Sequence, residues 1–389
     1  LMRSPASLHY EEVQDAIDDR PNDRTGPLLE PVLKPLYAAY AALKDARAER
    51  QPLDLDLPER RIELDPDGTV KSVNFKDRLD AHKLIEEFMV LANVAAAETL
   101  LEKKTPLLFR IHEEPSVAKL DALRETAQAA GYNLAKGQVL HTKHLNKLLN
   151  DAAGTDDAEL INISTLRSMT QAYYGPAHIG HFGLALRSYA HFTSPIRRYA
   201  DLIVHRALIS AHSWGKDGLS QLDIEDIEQI GAHISDTERR SMTAERDTTD
   251  RYLASYLSER VGNEFSGRIS GIARFGAFVK LDETGADGLL PMRSLGREYF
   301  HFDAEAGTLM GSDTGLMISV GQRVTVRLTE AVPVTGGIAL ELLTLEGKAL
   351  PQGGRGGRGP AGRTNPKRKA TKAKRKDDKI KRKVKRVRR

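Results

Sequence analysis

The chain reads as an α+β protein: a mainly helical part, then a small five-stranded barrel, then a tail with no means of folding. Three observations predict this. Apolar residues recur at helical spacing through most of the first 260 positions. The pattern switches to period two between Asn263 and about Thr344, and the last tenth is dominated by Gly, Lys and Arg. The boundaries that follow are 1–260, 261–346 and 347–389.

In chain order, Tyr10 to Ile17 reads as a helix, and Leu28 to Arg50 as a second one broken by Pro31 and Pro35. Asp67-Gly68 between Arg61-Ile-Glu-Leu64 and Thr69-Val-Lys-Ser-Val73 is a hairpin signal. Asp77 to Lys104 reads as a long helix with Leu84, Ile85, Phe88, Leu91, Ala92, Ala95 and Ala96 inward, and Leu107 to His112 as a buried strand. Further helices are predicted at about 116–130, 141–152, 157–174, 195–213 and 222–260. The strands of the barrel start from Phe265, Phe275, Gly288, Arg323 and Ile338, with glycine-rich turns between them.

An apolar fraction of 40% over 389 residues is enough for two or three cored domains. There are no cysteines, which excludes a disulfide framework and cysteine-ligated zinc or iron–sulfur sites. No long apolar run and no charged-then-apolar leader pattern is present, so a cytoplasmic protein without membrane partners is expected. The net charge of +4 hides a division. Residues 351–389 carry 18 Lys/Arg against Asp377 and Asp378, whereas the rest carries 40 basic and 52 acidic residues, or −12. Such a tail cannot bury enough apolar surface to offset its ordering entropy and is expected to be disordered. Its Gly353-Gly-Arg-Gly-Gly-Arg-Gly start and the clusters that follow make an electrostatic arm for a polyanion, with Arg355, Arg358, Lys367, Arg368 and Lys369 as contacts. A merely solubilising tail, or one for acidic lipid, is the alternative.

The most informative stretch is Gly180-His-Phe-Gly-Leu-Ala-Leu-Arg-Ser-Tyr-Ala-His-Phe-Thr-Ser-Pro-Ile-Arg-Arg-Tyr-Ala-Asp-Leu-Ile-Val-His-Arg206. Ser194 is a natural N-cap and Pro195 a natural first helical residue, with Ile196, Tyr199, Ala200, Ile203, Val204 and Ala207 on one apolar face. Arg197 and Arg198 then stand in the first turn, where cations oppose the helix dipole unless an anion sits between them and the free amides. A phosphate would satisfy both. Arg198 also has Asp201 three residues on as a partner.

His-Phe-Gly-Leu and Ser-Pro-Ile-Arg-Arg-Tyr-x-Asp-Leu at this spacing resemble the last part of the catalytic (RNB) domain of the ribonuclease II/ribonuclease R exoribonuclease family. The strand order after Asn263 and the Phe-Gly-Ala-Phe-Val turn resemble an S1-type RNA-binding OB domain. The resemblance covers about residues 3 to 345. It implies hydrolytic 3′-to-5′ degradation of single-stranded and structured RNA to nucleoside 5′-monophosphates by a monomer, with possible ribosome contact. It assigns Arg197 to the phosphate at the cleavage site and Arg198 to RNA, and it turns Glu245, in Thr243-Ala-Glu-Arg-Asp247, and one of Glu86 and Glu87 toward the RNA channel. Phe275, Phe278, Tyr299, Phe300, His301 and Phe302 become stacking candidates, each with a core role as its alternative.

Magnesium hydrolysis requires a cluster of carboxylates, which the family supplies as closely spaced aspartates early in its catalytic domain. That motif is not found in this chain, so magnesium is expected only in a complete protein. Asp15, Asp18 and Asp19, on a charged helix, and Asp54 and Asp56, between prolines, are poor substitutes. Histidines 82, 112, 181, 191 and 205 lack ligand spacing, and His205 follows Arg197 and Asp201 at four-residue steps, which favours hydrogen bonding. With Leu1 in place of methionine and no cold-shock-type domains, the chain resembles a fragment, inactive alone. A truncated gene, an incomplete sequence and a pseudoenzyme remain open, as does a non-catalytic RNA-binding clamp or adaptor.

The tail generates the first prediction. Each phosphate neutralised on a single strand contributes about −0.7 to the log–log salt slope of RNA affinity, so six engaged charges give roughly −4. Deleting 351–389 should flatten that slope and weaken low-salt binding; a slope unchanged by deletion would assign the binding to the folded body.

Overall fold

The computed structural model describes residues 4, 6–55, 59–75, 78–136, 140–296, 298–303 and 307–350. Helix α1 (Tyr10–Ile17) is followed by a segment in which the break expected at Pro31 takes the form of an interrupted α-helix, whereas at Pro35 the helix runs on. The short helix α2 (Gly26–Leu28) passes through one wide turn (Leu29–Leu33), in which the Lys34 N–H donates to the Leu29 carbonyl, into α3 (Lys34–Arg50). The wide turn accommodates Pro31, and Pro35 falls in the first turn of α3, where a missing N–H is tolerated. The hairpin forms as β1 (Arg60–Leu64) and β2 (Val70–Phe75), with Gly68 at φ +85°, a conformation that favours glycine.

Helix α4 (Asp80–Glu102) buries Ala81, Leu84, Glu87, Val90, Asn93, Ala96, Ala97 and Leu100. The predicted face is only partly the buried one: Leu84 and Ala96 are inside, but Ile85, Leu91 and Ala95 are exposed, because two polar residues, Glu87 and Asn93, belong to the buried face. Strand β3 (Phe109–Ile111) pairs antiparallel with β4 (Tyr173–Gly175). That pairing ends the helix predicted over 157–174, which stops as α7 (Ala158–Ser168). The chain beyond it is captured by Lys119 Nζ on the Met169 carbonyl and by His112 Nε2 on the Thr170 carbonyl. Helices α5 (Val117–Ala129) and α6 (Thr142–Ala152) share a core with α7 through Leu120, Leu123, Leu145, Leu148 and Ile161. Helices α8 (Tyr199–His212), α9 (Gln221–Glu225) and α10 (Ile227–Ser258) complete this part; the predicted 222–260 helix is broken at Asp226. Among the described residues no helix is long and apolar enough to cross a membrane.

The barrel is built of β5 (Glu264–Ala273), β6 (Gly276–Leu281), β7 (Asp287–Pro291), β11 (Arg323–Val332) and β12 (Gly337–Leu345), closed by the β11–β12 pairing. It is not wholly antiparallel as expected, because β7 meets β12 in parallel. A three-stranded sheet absent from the sequence reading is inserted before β11: β8 (Phe300–Asp303), β9 (Thr308–Gly311) and β10 (Met317–Ile318). A final short strand, β13 (Lys348–Ala349), lies against β12. The barrel core also takes in Leu253, Ala254 and Leu257 of α10 and Val73 of β2. On the other side, Arg167 of α7 donates to the Ser270 carbonyl at 2.6 Å.

Helix α10 docks on β4 through a small-residue seam. Ser235 Oγ accepts the Tyr174 N–H, and a Cβ on Gly231 would stand 2.7 Å from the Tyr174 carbonyl oxygen. Alanine at 231 improves helix propensity by about 1 kcal/mol, but the backbone it would strike cannot swing aside. G231A is therefore expected to lower stability by about 1–3 kcal/mol in denaturant titrations. A neutral or stabilising effect would show that the seam is loose.

Candidate nucleic-acid interface

The loop that carries the two arginines is held by side chains from two helices. Asn93 Oδ1, on α4, accepts the N–H of Phe192 (2.8 Å) and of Thr193 (3.2 Å), while its Nδ2 donates to Tyr189 Oη at 3.1 Å. Asp201 Oδ1, fully buried on α8, accepts the next amide, that of Ser194, at 2.7 Å. His205 Nε2 donates to the Phe192 carbonyl at 2.9 Å, with its ring stacked on that of Phe192.

This anchoring corrects the predicted helix start. The Ser194 carbonyl accepts from Arg197 and Arg198 to close a turn, Arg198 is extended (φ −122°, ψ 120°), and α8 begins only at Tyr199. Ile196, expected on the apolar face, is fully exposed at the tip of the turn; Tyr199 is half exposed, and only Ala200, Ile203, Val204 and Ala207 are buried. The anion near the helix N-terminus is the protein's own Asp201, in the first turn, where it complements the dipole.

The adjacent arginines have opposite environments. Arg198 donates Nε to Asp201 Oδ2 at 2.7 Å and Nη2 to Oδ1 at 2.9 Å. Burial pushes the Asp201 carboxyl up, but Arg198 and the Ser194 amide outweigh it and hold it below the ordinary range. Arg197 is exposed, and among the described residues its guanidinium makes no hydrogen bond or ion pair. The turn thus displays one free planar cation beside an exposed isoleucine.

Behind the turn lies a wall that sequence reasoning missed. Tyr174 Oη lies 2.8 Å from His191 Nδ1, and the Arg110 guanidinium sits 4.6 Å over the Tyr174 ring while Nη1 pairs with Glu238 of α10 at 2.6 Å. Burial, and then the neighbouring cations Arg198 and Arg110, lower His191 to about 3; burial, then His112 and Arg110, lower His181 to about 3. Both imidazoles are neutral near pH 7. The only sequence signal for this wall was the density of Tyr and His around 173–191; Asn93 and Arg110 gave none, because their partners lie far along the chain.

The remaining candidates are dispersed. Glu245 is exposed on α10, seven residues beyond Glu238, in a groove of about 500 Å³ lined by Arg60, Ile62, Leu64, Ser241 and Tyr252; no hydrogen bond or ion pair joins it to Arg197. Glu87 is buried and paired with Arg47 at 2.7 Å, and Glu86 pairs with Arg78, so both carboxylates are already engaged. Phe275 stands at the β5–β6 hairpin tip, 58% exposed, with its ring edge-on to the half-buried Phe278 at 5.9 Å. Tyr299 is exposed with His301 against it, whereas Phe300 is buried and Phe302 packs toward the barrel core. The pleat therefore separates Tyr299 from Phe302, which the sequence had grouped. Arg355, Arg358, Lys367, Arg368, Lys369 and Asp56 lie outside the described residues.

Among the described residues no three His, Asp or Glu converge as a metal site. Asp15 and Asp18 face Arg20, and Asp54 faces Arg47. The described residues do not fit magnesium.

The RNB domain model matches residues 1–213, and the S1 RNA binding domain model matches residues 258–343. Ribonuclease R of Escherichia coli K12 is 39% identical over 342 residues, covering 85% of this chain and 42% of that protein. Ribonuclease R of Aquifex aeolicus is 37% identical over 328 residues, covering 84% and 46%. Among solved structures, Mycoplasma genitalium RNase R in complex with ribose methylated single-stranded RNA matches with a TM-score of 0.80 at 29% identity, over 86% of this chain and 52% of that one. The chain spans less than half the length of the two curated relatives.

The neutral histidines set a pH dependence. Unfolded, each titrates near 6.5; folded, His181 and His191 titrate near 3, so unfolding takes up protons below pH 6.5. Stability should therefore fall as pH drops from about 6.5 and level off only near 3, each histidine removing about 2 kcal/mol between pH 7 and pH 5. Urea midpoints should show that loss, and H191Q should shrink it by about 2 kcal/mol. An H191Q profile parallel to the parent's would refute the buried neutral imidazole.

Proposed function

The chain belongs to the RNB-domain exoribonuclease family, and from that premise we propose that it is the RNA-gripping half of a ribonuclease R-type enzyme that degrades RNA from the 3′ end to nucleoside 5′-monophosphates. The observation that carries this reading is Arg197: an unpaired guanidinium held out on a turn whose three preceding amides are fixed by buried side chains. The fixed backbone presents the Arg197 side chain from a settled position, and its guanidinium offers a planar fork to two phosphate oxygens. The relative solved with single-stranded RNA supports the substrate class. The matched S1 domain supports a second contact, through Phe275 and Phe278, on which bases stack without sequence preference.

In this reading the chain alone binds RNA and does not hydrolyse it, since the described residues offer no carboxylate trio for magnesium. The same observation favours the second reading, a non-catalytic RNA clamp. A labelled oligoribonucleotide incubated with the chain and magnesium should stay full length; a ladder shortening from the 3′ end would overturn the division of labour. R197A should weaken RNA binding about tenfold, near 1.4 kcal/mol, at a salt concentration that suppresses the tail, with the melting temperature unchanged. R197K should recover little of that loss. Lost thermal stability with normal RNA affinity would make Arg197 a structural residue.

A further inference from the structure

Asn93 is 2% exposed, on a buried helix face where its neighbours are Val90, Ala96, Ala97 and Leu100 and the one other polar residue is Glu87. Asparagine is a poor helix former, and burying its amide is unfavourable unless both ends are hydrogen-bonded. Here both are, and none of the three bonds goes to its own helix: the oxygen takes the amides of Phe192 and Thr193, and the nitrogen donates to Tyr189. Packing alone would be served by an aliphatic residue.

The other side chains that tether the turn, Asp201 and His205, both sit on α8, the element that the turn leads into. They fix the turn relative to its own helix. Asn93 ties it to α4, and through Tyr189 it also holds the segment that approaches the turn. We propose that Asn93 is a positioning residue for Arg197: it does not touch RNA, and it sets where the guanidinium stands relative to the rest of the interface. The inference rests on the reading of Arg197 as the phosphate contact.

The test is a double-mutant cycle on the full chain, with binding of a single-stranded oligoribonucleotide and amide exchange as readouts. N93L, close in size and unable to hydrogen-bond, should speed exchange at the amides of Phe192 and Thr193. It should also weaken RNA binding about fivefold to tenfold, and weaken it no further in the R197A background. N93D keeps the two acceptor positions, so it should leave those amides protected and affinity within about threefold of the parent's. Should N93L not fold, N93S, whose hydroxyl is too short to reach both amides, carries the same cycle. N93L and R197A losses that simply add, or amides that stay protected in N93L, would overturn the positioning role while leaving the Arg197 reading intact. Unchanged RNA affinity in R197A alone would overturn both.

Discussion

The structure around the interface depends on one buried carboxylate. Asp201 has no exposed surface, and a charge in that position is tolerable only with excellent partners; removing one partner from such a pair typically costs about 3–5 kcal/mol. It has three hydrogen bonds, two from Arg198 and one from the Ser194 amide. Meeting that demand draws Arg198 inward, bends the chain at Ser194 and delays the helix to Tyr199. Arg197 is left outside as a consequence. Two identical neighbouring side chains thus become a structural brace and a free cation.

The surroundings strengthen whatever that cation meets. The body carries −12, a net charge that disfavours a polyanion, so an unpaired cation such as Arg197 weighs the more. His181 and His191, both neutral near pH 7, and the Tyr174 ring add no charge of their own to the neighbourhood of the turn. Arg110, paired with Glu238, contributes packing on Tyr174 more than net charge.

Local signals read from the sequence survived where the chain satisfies itself locally. The Asp67-Gly68 hairpin, α1, α5 and α6 are cases of this kind, each set by turn chemistry or a single apolar stripe. Long-range satisfaction defeated the same reasoning elsewhere. The predicted face of helix α4 is partly displaced because hydropathy reads Glu87 and Asn93 as surface residues, whereas Arg47, the Tyr189 hydroxyl and the Phe192 and Thr193 amides make them core. Helix 157–174 was too long because the pairing of β4 with β3 lies about 60 residues away in sequence. The arginine motif was found without geometry; its helix start was misplaced because Ser-Pro is a cap signal that Asp201 overrules. Phe302 was grouped with Tyr299 because strand β8, and so its alternation, went unrecognised.

The shared core of hairpin, α10 and barrel has a consequence for how the protein is made. Val73 leaves the ribosome long before Leu253 and the barrel strands that complete its surroundings. Until they arrive, the hairpin is a lone two-stranded ribbon, marginal in water, with an apolar face waiting for a partner encoded far downstream. The barrel in turn lacks part of its own core without that ribbon. Synthesis therefore passes through an interval in which the hairpin's apolar face has no barrel to cover it, a transient exposure of the kind that invites aggregation.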